Sequence, residues 1–194
     1  MLVLISGPSG AGKTTFVKSL LASDPRVKFS VSTTTRPIRR GETEGVDYHF
    51  VDDGRFDALL AADLFIEWAD VHDHRYGTRR DHVQGIIDEG SVPLLDLDVQ
   101  GGKQVIDIYG DDLVSVFVFP PSWEVLERRL RDRGTDGEQV IQTRLDNARW
   151  EVGYAGYYRY WIVNDDLDGA LRRMRAIITA EKCRRERFAS SPLA

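Results

Sequence analysis

Gly7-Pro8-Ser9-Gly10-Ala11-Gly12-Lys13-Thr14 is the stretch that decides the fold. It satisfies G-x-x-x-x-G-K-[ST] in full. Residues 2–5 before it, Leu-Val-Leu-Ile, form a short apolar run suited to a strand buried on both faces of a parallel sheet. After it, Phe16, Val17, Leu20 and Leu21 recur at helical spacing, and Pro25 ends the unit. Strand, glycine-rich loop and helix in that order open an α/β fold, and that context separates a phosphate loop from a chance glycine-rich turn. The glycines let backbone N–H groups converge on a phosphate, and the helix N-terminus adds positive potential. Lys13 is placed to reach the β- and γ-phosphates of ATP, and Thr14 to hold Mg²⁺ through its hydroxyl. Gly7, Pro8, Ser9, Gly10, Ala11, Gly12, Lys13, Thr14 and Thr15 are therefore the candidate ATP-binding residues at this end.

Working outward, residues 92–97 and 113–119 read as two further buried strands, the second stopping at Pro120-Pro121. Ser122 is a plausible N-cap, with Trp123, Leu126 and Leu130 marking the buried face of the helix it starts. Residues 160–163 form a short strand before Asn164-Asp165, and a last helix is expected from about 167 to about 187. Two stretches interrupt this alternation. Residues 32–80 are rich in Thr, Gly, Asp and aromatics, with 46–51 reading as strand; residues 127–149 are dense in arginine. Both read as lobes inserted into one core made of 1–31, 81–126 and 150–188, a single domain over 1–188, with 189–194 a frayed tail.

The composition agrees with one globular domain: of 194 residues, 42% are hydrophobic and 29% charged. A formal net charge of −5 argues against non-specific nucleic-acid binding, so any anion must be held by a local group of basic side chains. Cys183 is the lone cysteine, so no intrachain disulfide can form, which fits a reducing cytoplasm. No apolar run is long enough for a membrane span, and the expectation is a cytoplasmic protein without a membrane partner. His72 and His74 lack the cysteine or carboxylate spacing of a zinc site and read as exposed loop histidines. The N-K-x-D guanine signature of switch proteins is absent, which favours a small kinase.

The acceptor end begins at Ser32-Thr-Thr-Thr-Arg36-Pro-Ile-Arg39-Arg40-Gly41-Glu42 and continues through Asp47-Tyr48-His-Phe50. Two guanidinium forks and a phenol can grip a dianionic monophosphate from several sides, although such a pair taken alone reads as a solvated face. With Phe65-Ile66-Glu67-Trp68, Tyr76-Gly77-Thr78 and Leu95-Asp96-Leu97-Asp98-Val99-Gln100-Gly101, this run resembles guanylate kinase across nearly the whole chain. Arg129-Leu130, Arg133-Gly134, Arg144-Leu145 and Ile162-Val163-Asn164-Asp165 continue the pattern.

The resemblance implies a nucleoside-monophosphate-kinase fold of the P-loop NTPase class: a central parallel sheet flanked by helices, a GMP-binding lobe at 32–80 and an arginine-rich lid at 127–149. It implies reversible, Mg²⁺-dependent transfer of the γ-phosphoryl group of ATP to GMP or dGMP, within purine nucleotide metabolism. Ser32, Arg36, Arg39, Tyr48 and Tyr76 match GMP-binding positions, chiefly around the 5′-phosphate, and Glu67 matches the carboxylate that reads guanine. The chemistry agrees, because guanine presents N1–H and N2–H₂ as adjacent donors, whereas adenine would leave the carboxylate unpaired. Thr78 adds a hydroxyl for the base; Asp96 is assigned to Mg²⁺ with Thr14, and Asp98 to the nucleoside. Lys13, Arg39, Arg133 and Arg144 match catalytic positions, Arg129 a supporting one, and Asn164 and Asp165 lie by adenine. Arg128 and Arg131 read instead as helix-surface partners of nearby acids.

Two departures stand out: Arg75 replaces the first tyrosine of a common Tyr-Tyr-Gly, and the segment before the last strand reads Tyr158-Arg159-Tyr160 rather than aromatic-Asp-aromatic. Two other readings remain open on the sequence. One is a non-enzymatic guanylate-kinase-like interaction domain; the other is a small kinase acting on AMP, CMP, UMP or a sugar phosphate.

Overall fold

Every residue of the first strand, β1 (Leu2–Ser6), is buried, as its unbroken apolar pattern requires. The computed structural model, which describes residues 1–71, 73–132 and 137–188, continues with α1 (Lys13–Ser23), β2 (Val27–Phe29), β3 (Thr33–Thr34) and β4 (His49–Phe50). Next come α2 (Asp53–Ala61), β5 (Phe65–Val71), β6 (His74–Arg79), α3 (Arg80–Asp88), β7 (Val92–Asp96) and α4 (Val99–Tyr109). The chain then forms β8 (Leu113–Phe119), α5 (Trp123–Arg131), α6 (Glu138–Val152), β9 (Tyr160–Val163) and α7 (Leu167–Lys182).

Five strands make a fully parallel sheet in the order β2-β7-β1-β8-β9. One face packs on α1 and α7 through Phe16, Leu20, Met174 and Ile178; the other is covered by Val83, Val99 and Val105 of α3 and α4. With both faces covered, the ligand site of such a sheet falls at the carboxyl ends of its strands. Ser6, Asp96 and Val163 end β1, β7 and β9 there. A second, four-stranded sheet, β4-β3-β6-β5, holds the inserted stretch; β3 and β4 are parallel, while β6 runs antiparallel to both β3 and β5. Its own small core gathers Phe56, Leu59 and Phe65. Helices α5 and α6 pack on each other through Leu126, Leu130, Ile141, Leu145 and Ala148.

The expected parallel-sheet architecture is thus observed, with several local corrections. Only His49–Phe50 of the expected strand 46–51 forms a strand, because 43–48 close into a turn bridged by Glu44 and Tyr48. There Val46 N and Asp47 N both donate to Thr43 O, Gly45 takes φ 74°, and Val46 is left exposed. Ser122 caps α5 as expected, its hydroxyl oxygen accepting from Val125 N at 3.3 Å, and Leu126 and Leu130 are fully buried. Trp123 is not: it is 44% exposed and carries the Arg149 guanidinium 5.9 Å from its ring centroid, a contact an amphipathic ring makes at a helix edge. The last helix stops at Lys182 rather than near Arg187, since Arg187 turns back to give Glu181 Oε2 a 2.8 Å bond. Buried Glu181 also accepts from Tyr160 Oη at 2.6 Å, which fixes that turn. His74 opens β6 and is half-buried instead of sitting in an exposed loop, and His72 lies outside the described residues.

Candidate active site

The phosphate loop runs from the end of β1 into α1, and two of its glycines are required by geometry. Gly12 takes φ 84°, and a Cβ there would stand 2.5 Å from Asn164 Nδ2. Gly7 would place a Cβ 2.3 Å from Val118 O, so neither position admits a side chain. Asn164, buried at the end of β9, donates through Nδ2 to Ala11 O at 2.9 Å and through its backbone N to Phe119 O at 2.8 Å. Arg129 of α5 supports the same loop: Nη1 reaches Ala11 O at 3.1 Å and Nη2 reaches Asn164 O at 3.3 Å. A cavity of about 320 Å³ is lined by Gly10, Gly12, Thr15, Arg129, Asn164 and Asp165.

Beside it, a second cavity of about 320 Å³ follows the loop itself from Gly7 to Thr15 and includes Asp98 and Glu151. Lys13 Nζ lies 2.5 Å from Asp96 Oδ1 and 3.4 Å from Leu97 O. Burial works to lower the Lys13 ammonium, but the adjoining Asp96 carboxylate outweighs it and holds the group above its ordinary value. Asp98 caps α4, accepting from Gly101 N at 2.9 Å through Oδ1.

The third cavity, about 380 Å³, is lined by Lys13, Thr14, Ser32, Tyr48, Glu67, Ala69, Tyr76, Asp96 and Asp98. Glu67 comes from β5 and Thr78 from β6, a paired register that puts the Thr78 hydroxyl 2.6 Å from Glu67 Oε1. Glu67 is only 5% exposed; burial pushes its carboxyl up to about 7, against the opposing hydrogen bond from Thr78. Tyr48 and Tyr76 meet edge to face with ring centroids 5.8 Å apart. Ser32, Tyr48, Glu67, Tyr76 and Asp98 are thus brought together with Lys13 and Thr14, while Thr78 stands behind Glu67.

The arginines expected at this end lie differently. Arg36 is buried and engaged by Glu42 through Nη1 at 3.1 Å and Nη2 at 2.7 Å, with its guanidinium 5.3 Å from the Tyr48 ring centroid. Arg39 is exposed, and its backbone N donates to the same Glu42 at 2.8 Å. Neither lines this third cavity in this conformation. Arg144 lies on α6 and is half-buried; Arg133 lies outside the described residues. Arg131 pairs with Glu127 and Glu138, as a helix-surface residue should. Arg75 and Arg159 point to other acids, Asp53 and Asp57 for the first and Asp111 for the second, and neither touches the site. Among the described residues, no cluster of three His, Cys, Asp or Glu is placed to hold a metal by itself, and no helix is long and apolar enough to cross a membrane.

Two site residues escaped the sequence reading. Glu42 could have been found as the acid that follows Arg36 and Arg39 in one short loop. Glu151 had a fainter signal, its place two helical turns after Arg144 on the same face of one helix.

The family model described as guanylate kinase matches residues 1–181. A guanylate kinase of Syntrophotalea carbinolica is 48% identical over 190 residues, covering 98% of this chain and 90% of that protein. One of Zymomonas mobilis is 46% identical over 187 residues, covering 96% of this chain and 87% of that one. Among solved structures, a guanylate kinase from Anaplasma phagocytophilum superposes with a TM-score of 0.77 at 33% identity, over 95% of this chain and 87% of that chain.

Proposed function

The chain belongs to the guanylate kinase family, and from that membership we propose how its residues carry the transfer of the γ-phosphoryl group of ATP to GMP. It is a nucleoside monophosphate kinase. One observation carries the assignment of roles: Lys13, Thr14 and Asp98 line both the phosphate-loop cavity and the acceptor cavity, so a donor and an acceptor phosphate would meet over them.

In this reading ATP lies along Gly7–Thr15, with adenine against Asn164 and Asp165 and the terminal phosphates at Lys13. GMP enters the acceptor cavity with guanine on Glu67 and Thr78, its nucleoside near Asp98 and Ser32, and its phosphate toward Tyr48, Tyr76, Arg36 and Arg39. A GMP phosphate oxygen attacks the γ-phosphorus as the bond to the β,γ-bridging oxygen breaks, and ADP leaves. The acceptor is already an anionic nucleophile, so catalysis rests on alignment and charge neutralisation rather than on a general base. Lys13, Arg39, Arg133 and Arg144 are the cations we assign to that charge.

Mg²⁺ is the cofactor we infer. The Thr14 hydroxyl and the Asp96 carboxylate both line the acceptor cavity and are hard oxygen donors of the kind this ion takes, directly or through its waters. Bound there, it would neutralise phosphate charge. We further read 32–80 as the GMP-binding lobe, 127–149 as the lid and the cytoplasm as the place of action. The last fits substrates of nucleotide metabolism and a free, exposed Cys183.

The test is a coupled assay for ADP release with ATP and Mg²⁺ fixed and GMP, AMP, CMP and UMP offered in turn. Turnover with GMP alone is expected. Turnover with another acceptor would overturn the role of Glu67; ATP binding without turnover would favour an interaction domain.

A further inference from the structure

The Ser9 N–H donates to Glu151 Oε2 at 3.1 Å. Ser9 belongs to the phosphate loop, and Glu151 to the last turn of α6. Glu151 also lines the loop's cavity together with Gly10, Gly12, Lys13 and Asp98. Backbone N–H groups of such a loop are the groups that receive phosphate oxygens. A carboxylate oxygen on one of them makes the same charge-assisted bond a phosphate would make.

An ordinary helix-surface carboxylate does not account for this placement. Asp146 on the same helix pairs locally with Arg149 and Gln142, both on α6. Glu151 instead reaches across the cleft to a different element and is half-buried there. Burial raises its carboxyl above the ordinary value, the Ser9 N–H and the Lys13 ammonium oppose that, and the Asp98 carboxylate adds to it. Two acids and a lysine therefore share the space where ATP phosphates must go.

We propose that Glu151 is a positioning residue of the transfer, its carboxylate holding the Ser9 N–H in the nucleotide-free enzyme and being displaced from it by a phosphate oxygen of ATP. The proposal rests on the reading of residues 7–14 as the ATP loop. ATP binding is then an exchange of one anion for another. Helix α6, which also carries Arg144, is tied to the loop through this bond only while the nucleotide is absent.

The experiment compares the full chain with its Glu151→Gln variant by ATP titration and steady-state kinetics. Removing the competing charge should lower Kd and KM for ATP about three- to tenfold, the latter corresponding to about 1.4 kcal/mol. KM for GMP should stay within about twofold, and kcat should not rise, since tighter binding of the ground state gives nothing to the transition state. Unchanged or weaker ATP binding by a variant with wild-type Tm overturns the proposal, and is what a merely structural carboxylate would give.

A second measurement needs no variant. In ¹⁵N-labelled wild-type enzyme without nucleotide, the Ser9 amide resonance should titrate with the Glu151 carboxyl above the ordinary carboxylate range, and saturating ATP should abolish that titration. An amide indifferent to pH without nucleotide, or one that still titrates with ATP bound, overturns the proposal. Failure of the wild type to phosphorylate GMP would instead count against the kinase assignment, and the Ser9 titration would remain readable.

Discussion

The Thr78 hydroxyl donates to Glu67 Oε1 at 2.6 Å inside a buried pair, while Glu67 Oε2 faces Gly101, where an added Cβ would come within 2.7 Å. One oxygen is thus anchored by the protein and the space beside the other is kept open by a glycine. A carboxylate held this way can accept from two adjacent donors on a flat base. Glu67→Gln would replace one acceptor with a donor facing a donor. It should reduce kcat/KM for GMP about 100-fold or more, about 3 kcal/mol, and leave KM for ATP within about twofold. Steady-state kinetics with each substrate varied will check this; unchanged GMP kinetics would remove Glu67 from base recognition.

The same carboxyl makes the enzyme's pH response specific. Burial places its pKa at about 7, above the ordinary 4.5, so the free enzyme carries the neutral acid below that point and, above it, the carboxylate that the proposed guanine contact needs. kcat/KM for GMP should therefore climb through about pH 7. GMP's own phosphate ionises near pH 6 and adds a lower step, which Glu67→Gln should retain while losing the upper one.

Stability should run in the opposite sense. With the folded pKa above the unfolded one, the native state holds the proton more tightly, so this contribution is full below about pH 4.5 and is lost as pH rises through about 7. The span from 4.5 to about 7 corresponds to about 3 kcal/mol at most. Glu67→Gln should therefore gain stability relative to wild type at pH 8 and little at pH 4.5, measured by denaturant melts at both. No gain at pH 8 would mean that the buried carboxylate is solvated well enough to carry its charge at no cost.

Glu42 gives a fourth expectation. It holds the Arg36 fork through two bonds and accepts the Arg39 backbone N–H, so one acid shapes the loop that carries both arginines. Glu42→Ala would leave Arg36 without that partner and the loop without its tie. KM for GMP should rise about tenfold with a smaller change in kcat, because the loss is one of preorganisation before binding. A fall in KM would show that Glu42 competes with the GMP phosphate for Arg36 instead of presenting it.

The core was legible because parallel strands announce themselves as unbroken apolar runs: residues 113–119 and 160–163 were bounded to the residue. The inserted sheet was not. β5 and β6 carry half-buried residues such as Trp68, Ala69, Arg75 and Tyr76, whose faces are set by a small separate core and by cross-strand pairing rather than by hydrophobic period. Trp123 misled because spacing alone places it with Leu126 and Leu130, while only the packing of α6 decides how far along α5 the burial extends. Glu42 and Glu151 were missed for one physical reason. Their importance lies in contacts that a carboxylate makes with a loop amide or a guanidinium, and composition and periodicity do not encode such contacts.

Arg75 is where the sequence departs from the family pattern beside an expected GMP-binding residue, Tyr76, and the structure shows why the departure is tolerated. Successive residues of β6 face opposite sides, so Tyr76 lines the acceptor cavity while Arg75 turns away from it. Its guanidinium lies 4.7 Å from the Phe56 ring centroid and bonds Asp57 Oδ1 at 2.5 Å and Asp53 Oδ1 at 2.8 Å, pinning α2 onto the sheet. Both acids are well exposed, so water screens the ion pairs and the contact with Phe56 is the larger part of what Arg75 contributes. Arg75→Ala should lower Tm by about 2–4 °C, with kinetic constants for both substrates within about twofold of wild type. Arg75→Tyr should recover part of the lost stability by restoring an aromatic surface over Phe56. A tenfold loss of kcat in Arg75→Ala at unchanged Tm would contradict this placement and give Arg75 a part in the site.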